Sequence, residues 1–194
     1  MRFSLLPLAL LGVATSFAGT LAMTGSSITD ITDTSGYTTG WAFTTTGVTV
    51  TALGYYDSGK DGLLDAHDVG IFDSLGNLLV SATVPNGVAG TLNADWRFIS
   101  ITPYALGAGS YVIGGYSKSS DPITITGTAT GAPGITLGSV IRYVYGGSLA
   151  FPTFGGLTYL NPNFEFNAAP PVPEPATLGL AAAALCLAAF RLRK

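Results

Sequence analysis

Apolar and polar positions alternate in short runs along most of this chain, with Gly, Asn, Asp and Ser between the runs. A period of two is the mark of a strand with one buried face. Tyr37–Phe43 places Trp41 and Phe43 on one side. Val48–Tyr56 holds Val48 and Val50 in phase against Thr49 and Thr51, and its phase slips near Ala52 and Leu53, which predicts a bulge there. Asp68–Phe72 and Leu78–Thr83 flank Asp73-Ser74-Leu75-Gly76-Asn77, a hairpin loop. Trp96–Ile101 and Ser110–Ser117 follow. Ile123–Thr128 alternates most cleanly, with Ile123 and Ile125 on one side and Thr124, Thr126 and Thr128 on the other. Ser139–Tyr145 and Asn163–Asn167 complete the set, the last with Phe164 and Phe166 inward and Glu165 outward. Nine short strands without crossover helices predict an all-β fold. The expected architecture is a single antiparallel β-sandwich or jelly-roll-like domain over residues 19–168.

The two ends break this pattern. Met1-Arg2 is followed by an apolar stretch from Phe3 to Val13, interrupted by Ser4, Pro7 and Gly12, and then by Ser16-Phe17-Ala18. A basic start, a short apolar run and small residues at the cleavage positions describe a secretory signal peptide, residues 1–18. Cleavage is placed after Ala18, with Ala14 and Ala22 as alternatives. At the other end, residues 169–175 form a Pro-rich hinge that contains Val172-Pro173-Glu174-Pro175. Residues 176–190 are uncharged and apolar, and 191–194 read Arg-Leu-Arg-Lys. Fifteen residues of helix span roughly 22 Å, short of a bilayer core of about 30 Å. Arg191 and Arg193 would snorkel to the headgroups. Lys and Arg hold their side of a span in the cytoplasm. This orients the basic end inward and the body outward, on a membrane helix that spans poorly.

Charge narrows the function of the body. Residues 19–168 contain four basic and ten acidic side chains, a net charge of −6 against −3 for the whole chain. That balance disfavours nucleic acid, whose binding rests on Lys and Arg neutralising phosphate. The single Cys, Cys186, lies in the tail, so the body has no disulfide although an exported compartment permits one.

Candidate chemistry is sparse. His67 is the only His, which excludes zinc sites built from His and Cys. Gly109-Ser110-Tyr111 lacks the second glycine of a nucleophile elbow. A hydrolase would need His67 or aspartates to converge with Glu165 in a cleft, and the expectation is a non-enzymatic protein. The most polar segment is 57–68, Asp-Ser-Gly-Lys-Asp-Gly-Leu-Leu-Asp-Ala-His-Asp. Against a twelve-residue calcium loop, Asp57, Asp61, Asp65 and Asp68 fall at positions 1, 5, 9 and 12, and Gly62 at the turn position 6. Gly59 at position 3 supplies no oxygen, Asp68 is shorter than the usual Glu, and Lys60 adds a positive charge. The alternative is a solvated loop whose aspartates cap their own turns. His67 reads as a hydrogen-bonding loop residue. Tyr55, Tyr56, Tyr104, Tyr116, Tyr143, Tyr145 and Tyr159 could stack on sugar rings, whereas Trp41 and Trp96 read as core anchors. Exposed coplanar rings beside 57–68 would favour a carbohydrate-binding module, and buried rings a structural role.

The order Val172-Pro173-Glu174-Pro175, apolar run, then Arg191, Arg193 and Lys194 resembles the PEP-CTERM sorting signal of Gram-negative bacteria. The resemblance implies that signal peptidase and an exosortase in the inner membrane process the chain, which then passes to the cell surface or matrix in bacteria that make exopolysaccharide. The body more loosely resembles uncharacterised extracellular β-sandwich domains that precede such tails, through Gly40-Trp41-Ala42-Phe43, His67-Asp68-Val69-Gly70-Ile71 and Gly76-Asn77-Leu78-Leu79. Together these imply an exported surface or matrix protein with a structural or adhesive role beside exopolysaccharide. The alternative is a carbohydrate-binding module, with calcium as its only candidate cofactor.

Overall fold

The computed structural model describes residues 19–32, 35–118, 121–138, 142–156 and 158–168. The expected signal peptide, hinge, sorting helix and basic end lie outside the described residues. Among the described residues, no helix is long and apolar enough to cross a membrane.

The alternating runs become strands β1 Thr20–Leu21, β2 Met23–Ile31, β3 Tyr37–Thr45, β4 Val48–Tyr56, β5 His67–Asp73, β6 Leu78–Val84 and β7 Thr91–Asn93. They continue as β8 Trp96–Leu106, β9 Gly109–Ser117, β10 Ile123–Gly131, β11 Ile135–Leu137, β12 Arg142–Tyr145, β13 Phe154–Gly155 and β14 Pro162–Ala168. One 3-10 turn, Ser58–Lys60, interrupts them. Every strand pairing is antiparallel. A five-stranded sheet has the order β1-β14-β4-β8-β7, and a seven-stranded sheet the order β13-β12-β3-β9-β5-β6 with β11 on β3. The strands β10 and β2 form a separate ribbon.

The two large sheets share one apolar core, which makes the fold sandwich-like. Trp41, Phe43, Ile71 and Ile113 come from the seven-stranded sheet, and Val50, Leu53, Phe98, Phe164 and Phe166 from the five-stranded one. Trp41 stacks on Phe164 with ring centroids 5.9 Å apart, and Phe43 meets Phe164 at 5.1 Å. Each such side chain removed from water contributes about 1.5–3 kcal/mol. Phe164 and Phe166 therefore point inward, and Trp41 and Trp96 are core anchors, as the alternation predicts. Both indoles donate to the segment leading into β14: Trp41 Nε1 to the Pro162 carbonyl at 2.7 Å, and Trp96 Nε1 to that of Leu160 at 2.9 Å. A buried indole N–H needs such a partner.

Several boundaries differ from the sequence reading. The strand Met23–Ile31 was not expected, because Thr24-Gly25-Ser26-Ser27 has no apolar alternation; it forms by pairing with β10. Against β14 the extra residue of β4 is Thr51, one before the predicted slip, and against β8 the register shifts at the same place with the extra residues on β8, between Ser100 and Tyr104. His67 opens strand β5 rather than lying in a loop. In β10, Thr124 is buried beside Ile123 instead of facing water. Its hydroxyl accepts the Leu160 N–H at 2.6 Å and lies 3.2 Å from the Thr158 carbonyl and from Asn161 Oδ1. Polar satisfaction overrides alternation there.

The register also sets where the body begins and ends. Thr20 pairs with Phe166 and Leu21 with Glu165. Gly19 and Ala168 thus lie at the same end of the five-stranded sheet.

Candidate functional site

The segment 57–68 folds inward, and its aspartates separate. Asp57 closes β4 and is 2% exposed. Its carboxylate accepts the Gly62 N–H at 3.2 Å and Arg97 Nε–H at 2.6 Å. Arg97, from β8, is also buried; its other nitrogens donate to the carbonyls of Gly90 at 3.2 Å and Lys60 at 3.1 Å. Gly62 takes a φ of +115°, which only glycine adopts without strain and which turns its N–H back toward Asp57. Lys60 instead pairs at the surface with Asp95, 2.9 Å away.

The other three acids go elsewhere. Asp61 is exposed, and Asp65 is half-buried. Asp68 lies on β5 and accepts the Thr83 hydroxyl of β6 at 2.6 Å. The structure therefore does not bring the four expected metal ligands to one point. Among the described residues, no group of three or more His, Cys, Asp or Glu is arranged to hold a metal ion.

What the segment does organise is a second buried polar pair, His67 with Asp121. His67 is fully buried, with Nε2 2.8 Å from Asp121 Oδ2 and Nδ1 2.9 Å from the Tyr116 carbonyl. Asp121 also accepts the N–H groups of Leu64 at 2.9 Å and Asp65 at 2.8 Å. Burial alone would raise the Asp121 carboxyl. The hydrogen bond from His67 and those from Leu64 and Asp65 outweigh it and hold the group below the ordinary carboxylate range. The Tyr116 carbonyl can only accept, so Nδ1 carries a hydrogen, and Nε2 meets the Asp121 carboxyl. Tyr55 lies flat against the His67 ring, with centroids 3.7 Å apart and 1° between planes. Burial raises the Tyr55 hydroxyl above the ordinary phenol range. At the edge of the same region, burial and then the charge of Asp30 push Tyr56 up to about 12.

This arrangement braces the fold. Both nitrogens of His67 are engaged within the fold, one by the Tyr116 carbonyl and one by Asp121. Glu165 lies in the other sheet, where Oε1 accepts Asn93 Nδ2–H at 2.8 Å. His67 and Glu165 therefore lie on different sheets.

Arg97 and Asp121 are the two members of this region that sequence reasoning missed. Arg97 stands between Trp96 and Phe98 in a strand, a position that reads as outward-facing. The one sequence signal for Arg97 is scarcity, since it is one of four cations in an acidic body, and Asp121, one of ten acids, carries none.

The aromatic side chains divide. Trp41, Trp96, Tyr55, Tyr116 and Tyr159 are buried, Tyr56 and Tyr104 half-buried. The exposed rings gather on β12 and β13, away from the calcium-like segment's own strands. Tyr145 is 68% exposed and Phe154 56%. Between them Tyr143 contacts Tyr145 edge-on at 5.5 Å, Phe154 at 5.7 Å and Tyr159 at 6.0 Å, and Tyr37 meets Tyr145 at 5.9 Å. Buried rings thus support exposed ones.

No curated protein and no solved structure matches this chain. Residues 171–194 match the PEP-CTERM protein-sorting motif, which covers Val172, Pro173, Glu174, Pro175, Arg191, Arg193 and Lys194, and this marks an exported protein sorted as an exosortase substrate and anchored transiently at the membrane.

Proposed function

We propose that the body is a non-enzymatic surface or matrix module that adheres to extracellular polysaccharide once the tail has been processed. The observation that carries this reading is the supported cluster of exposed rings, Tyr145 and Phe154 around Tyr143. Large apolar rings left in water cost free energy that binding recovers, and a sugar's C–H face suits a flat ring. The net charge of −6 on residues 19–168 suits a neutral glycan better than an acidic one.

The test is a glycan-array screen of the exported protein with and without calcium. Retention on neutral polysaccharide, reduced at least tenfold by Tyr145→Ala with Phe154→Ala while the melting temperature holds, supports the proposal. Tight binding to one short oligosaccharide would make the protein a specific carbohydrate-binding module instead. A dependence of that binding on Asp61 and Asp65 and on calcium would restore the metal reading of the 57–68 segment. Retention unchanged by the double variant would overturn the assignment to these rings.

A further inference from the structure

We propose that removal of the leader after Ala18 completes an ion pair: the new α-ammonium of Gly19 binds the Glu165 carboxylate and latches β1 onto β14. The inference rests on the exported reading, because it needs a signal peptidase to act. It goes further by giving the cleavage product a place in the fold.

Gly19 sits directly before β1 and is packed closely. A side-chain carbon built on it would lie 2.8 Å from Glu165 Cβ and 2.9 Å from Thr51 Oγ1, so the position admits only glycine. The same carbon would lie 3.3 Å from Glu165 Oε2. The backbone nitrogen of residue 19 is about 2.5 Å from that point, so the half-buried carboxylate oxygen lies within about 6 Å of it, a gap that a rotation of the Glu165 side chain closes. Glu165 is the only Glu of the body. Its Oε1 takes the Asn93 amide, while the ion pairs and the His67 pair among the described residues go to Asp57, Asp95 and Asp121. An acid with no cation in those pairs thus stands where cleavage would deliver one.

The structure also separates the three candidate cleavage sites. Ala22 is fully buried; its N–H bonds the Phe164 carbonyl at 2.9 Å and its carbonyl accepts the Ala132 N–H at 3.0 Å. Cleavage after Ala22 would discard β1 altogether. Cleavage after Ala14 would leave the charge four residues short of Glu165. Only cleavage after Ala18 places it there. Hydrolysis adds water across the Ala18–Gly19 amide: Ala18 leaves with a carboxylate, and the Gly19 amine takes a proton at neutral pH. In the precursor the same nitrogen is an uncharged amide. Cleavage therefore adds an attraction to a strand held by only two residue pairs. That strand leads through Ala22 and Met23, both buried, into the β2–β10 ribbon.

The test uses the full chain exported with its own leader, its new N-terminus read by mass spectrometry. A start at Gly19 is expected. Glu165→Gln should then lower the melting temperature by about 2–4 °C and speed hydrogen exchange at the Ala22 amide. A second form carries two alanines inserted before Gly19, so that the amine is displaced while Asn93 can still bond either side chain. In that form Glu165→Gln should change nothing. An equal loss in both forms would mean that Glu165 acts through Asn93 and would overturn the latch, as would a start at Gly19 with no loss in either. Retention of the leader would overturn the exported reading, and the latch with it.

Discussion

Asp57 and Asp73 each end a strand and open a Gly-containing turn, yet they are used in opposite ways. The Asp73 carboxylate serves its own hairpin. It accepts the N–H groups of Leu75 and Asn77 at 2.9 Å and the Asn77 side-chain amide at 2.8 Å. The Asp57 carboxylate also caps its turn through Gly62, but it is buried and spends its shortest bond on Arg97, forty residues away in sequence. One aspartate closes a loop in water; the other ties a loop to the neighbouring strand of its own sheet, buried from water. The difference teaches that an Asp-rich loop is not evidence of a cation site until the destination of each carboxylate is known. Here the cation that Asp57 holds is a side chain.

Three experiments would sharpen or break this contrast. The largest effect is expected for Arg97→Leu, which strands Asp57 as an unpaired buried charge at a cost of about 3–5 kcal/mol. Asp57→Asn with Arg97→Leu should recover part of it, because the charge is gone while the cap to Gly62 remains. Denaturant melts measure both, and equal losses in the single and double variants would break the argument.

Asp121→Asn should come next, at about 2–3 kcal/mol, since it takes the carboxylate away from the buried His67 ring and from the N–H groups of Leu64 and Asp65. The pH dependence gives an independent check. The folded pKa of Asp121 lies below its unfolded value of about 3.9, so its contribution is fully present above that value and is lost as pH falls through the folded one. The wild type should therefore lose stability in acid more steeply than Asp121→Asn. Parallel acid profiles would remove Asp121 as the group responsible.

The smallest effect is expected for Asp73→Ala. The Asn77 side chain first, and then the Asn77 backbone, hold this carboxyl below its ordinary range. Its linkage has the same sign as that of Asp121, present above the unfolded pKa and lost below it, but the group faces water that competes for each bond. Its melting shift should be smaller than either of the others. A shift as large as that of Arg97→Leu would mean that the hairpin matters to the whole sandwich.

How far each part was legible follows the same division. The Asp73 turn could be read because its partners lie within four residues. The strands around Trp41, Val50, Ile71 and Phe164 could be read because burial on one face imposes a period of two. The strand Met23–Ile31 could not, because its partner β10 is about a hundred residues away and most of its side chains face water. Nor could the pair His67–Asp121, whose members are 54 residues apart.

The amino-acid sequence by itself determined that the body is all-β, which residues form most of its core, and that the chain ends in a sorting signal, because apolar periodicity and a contiguous motif are local properties of the chain. Only the tertiary structure decided which aspartates face water and which face Arg97 or His67, which tyrosines are exposed, and that Gly19 meets Glu165. Those outcomes depend on strand register and sheet order, which join residues far apart in the chain and leave no local trace in it.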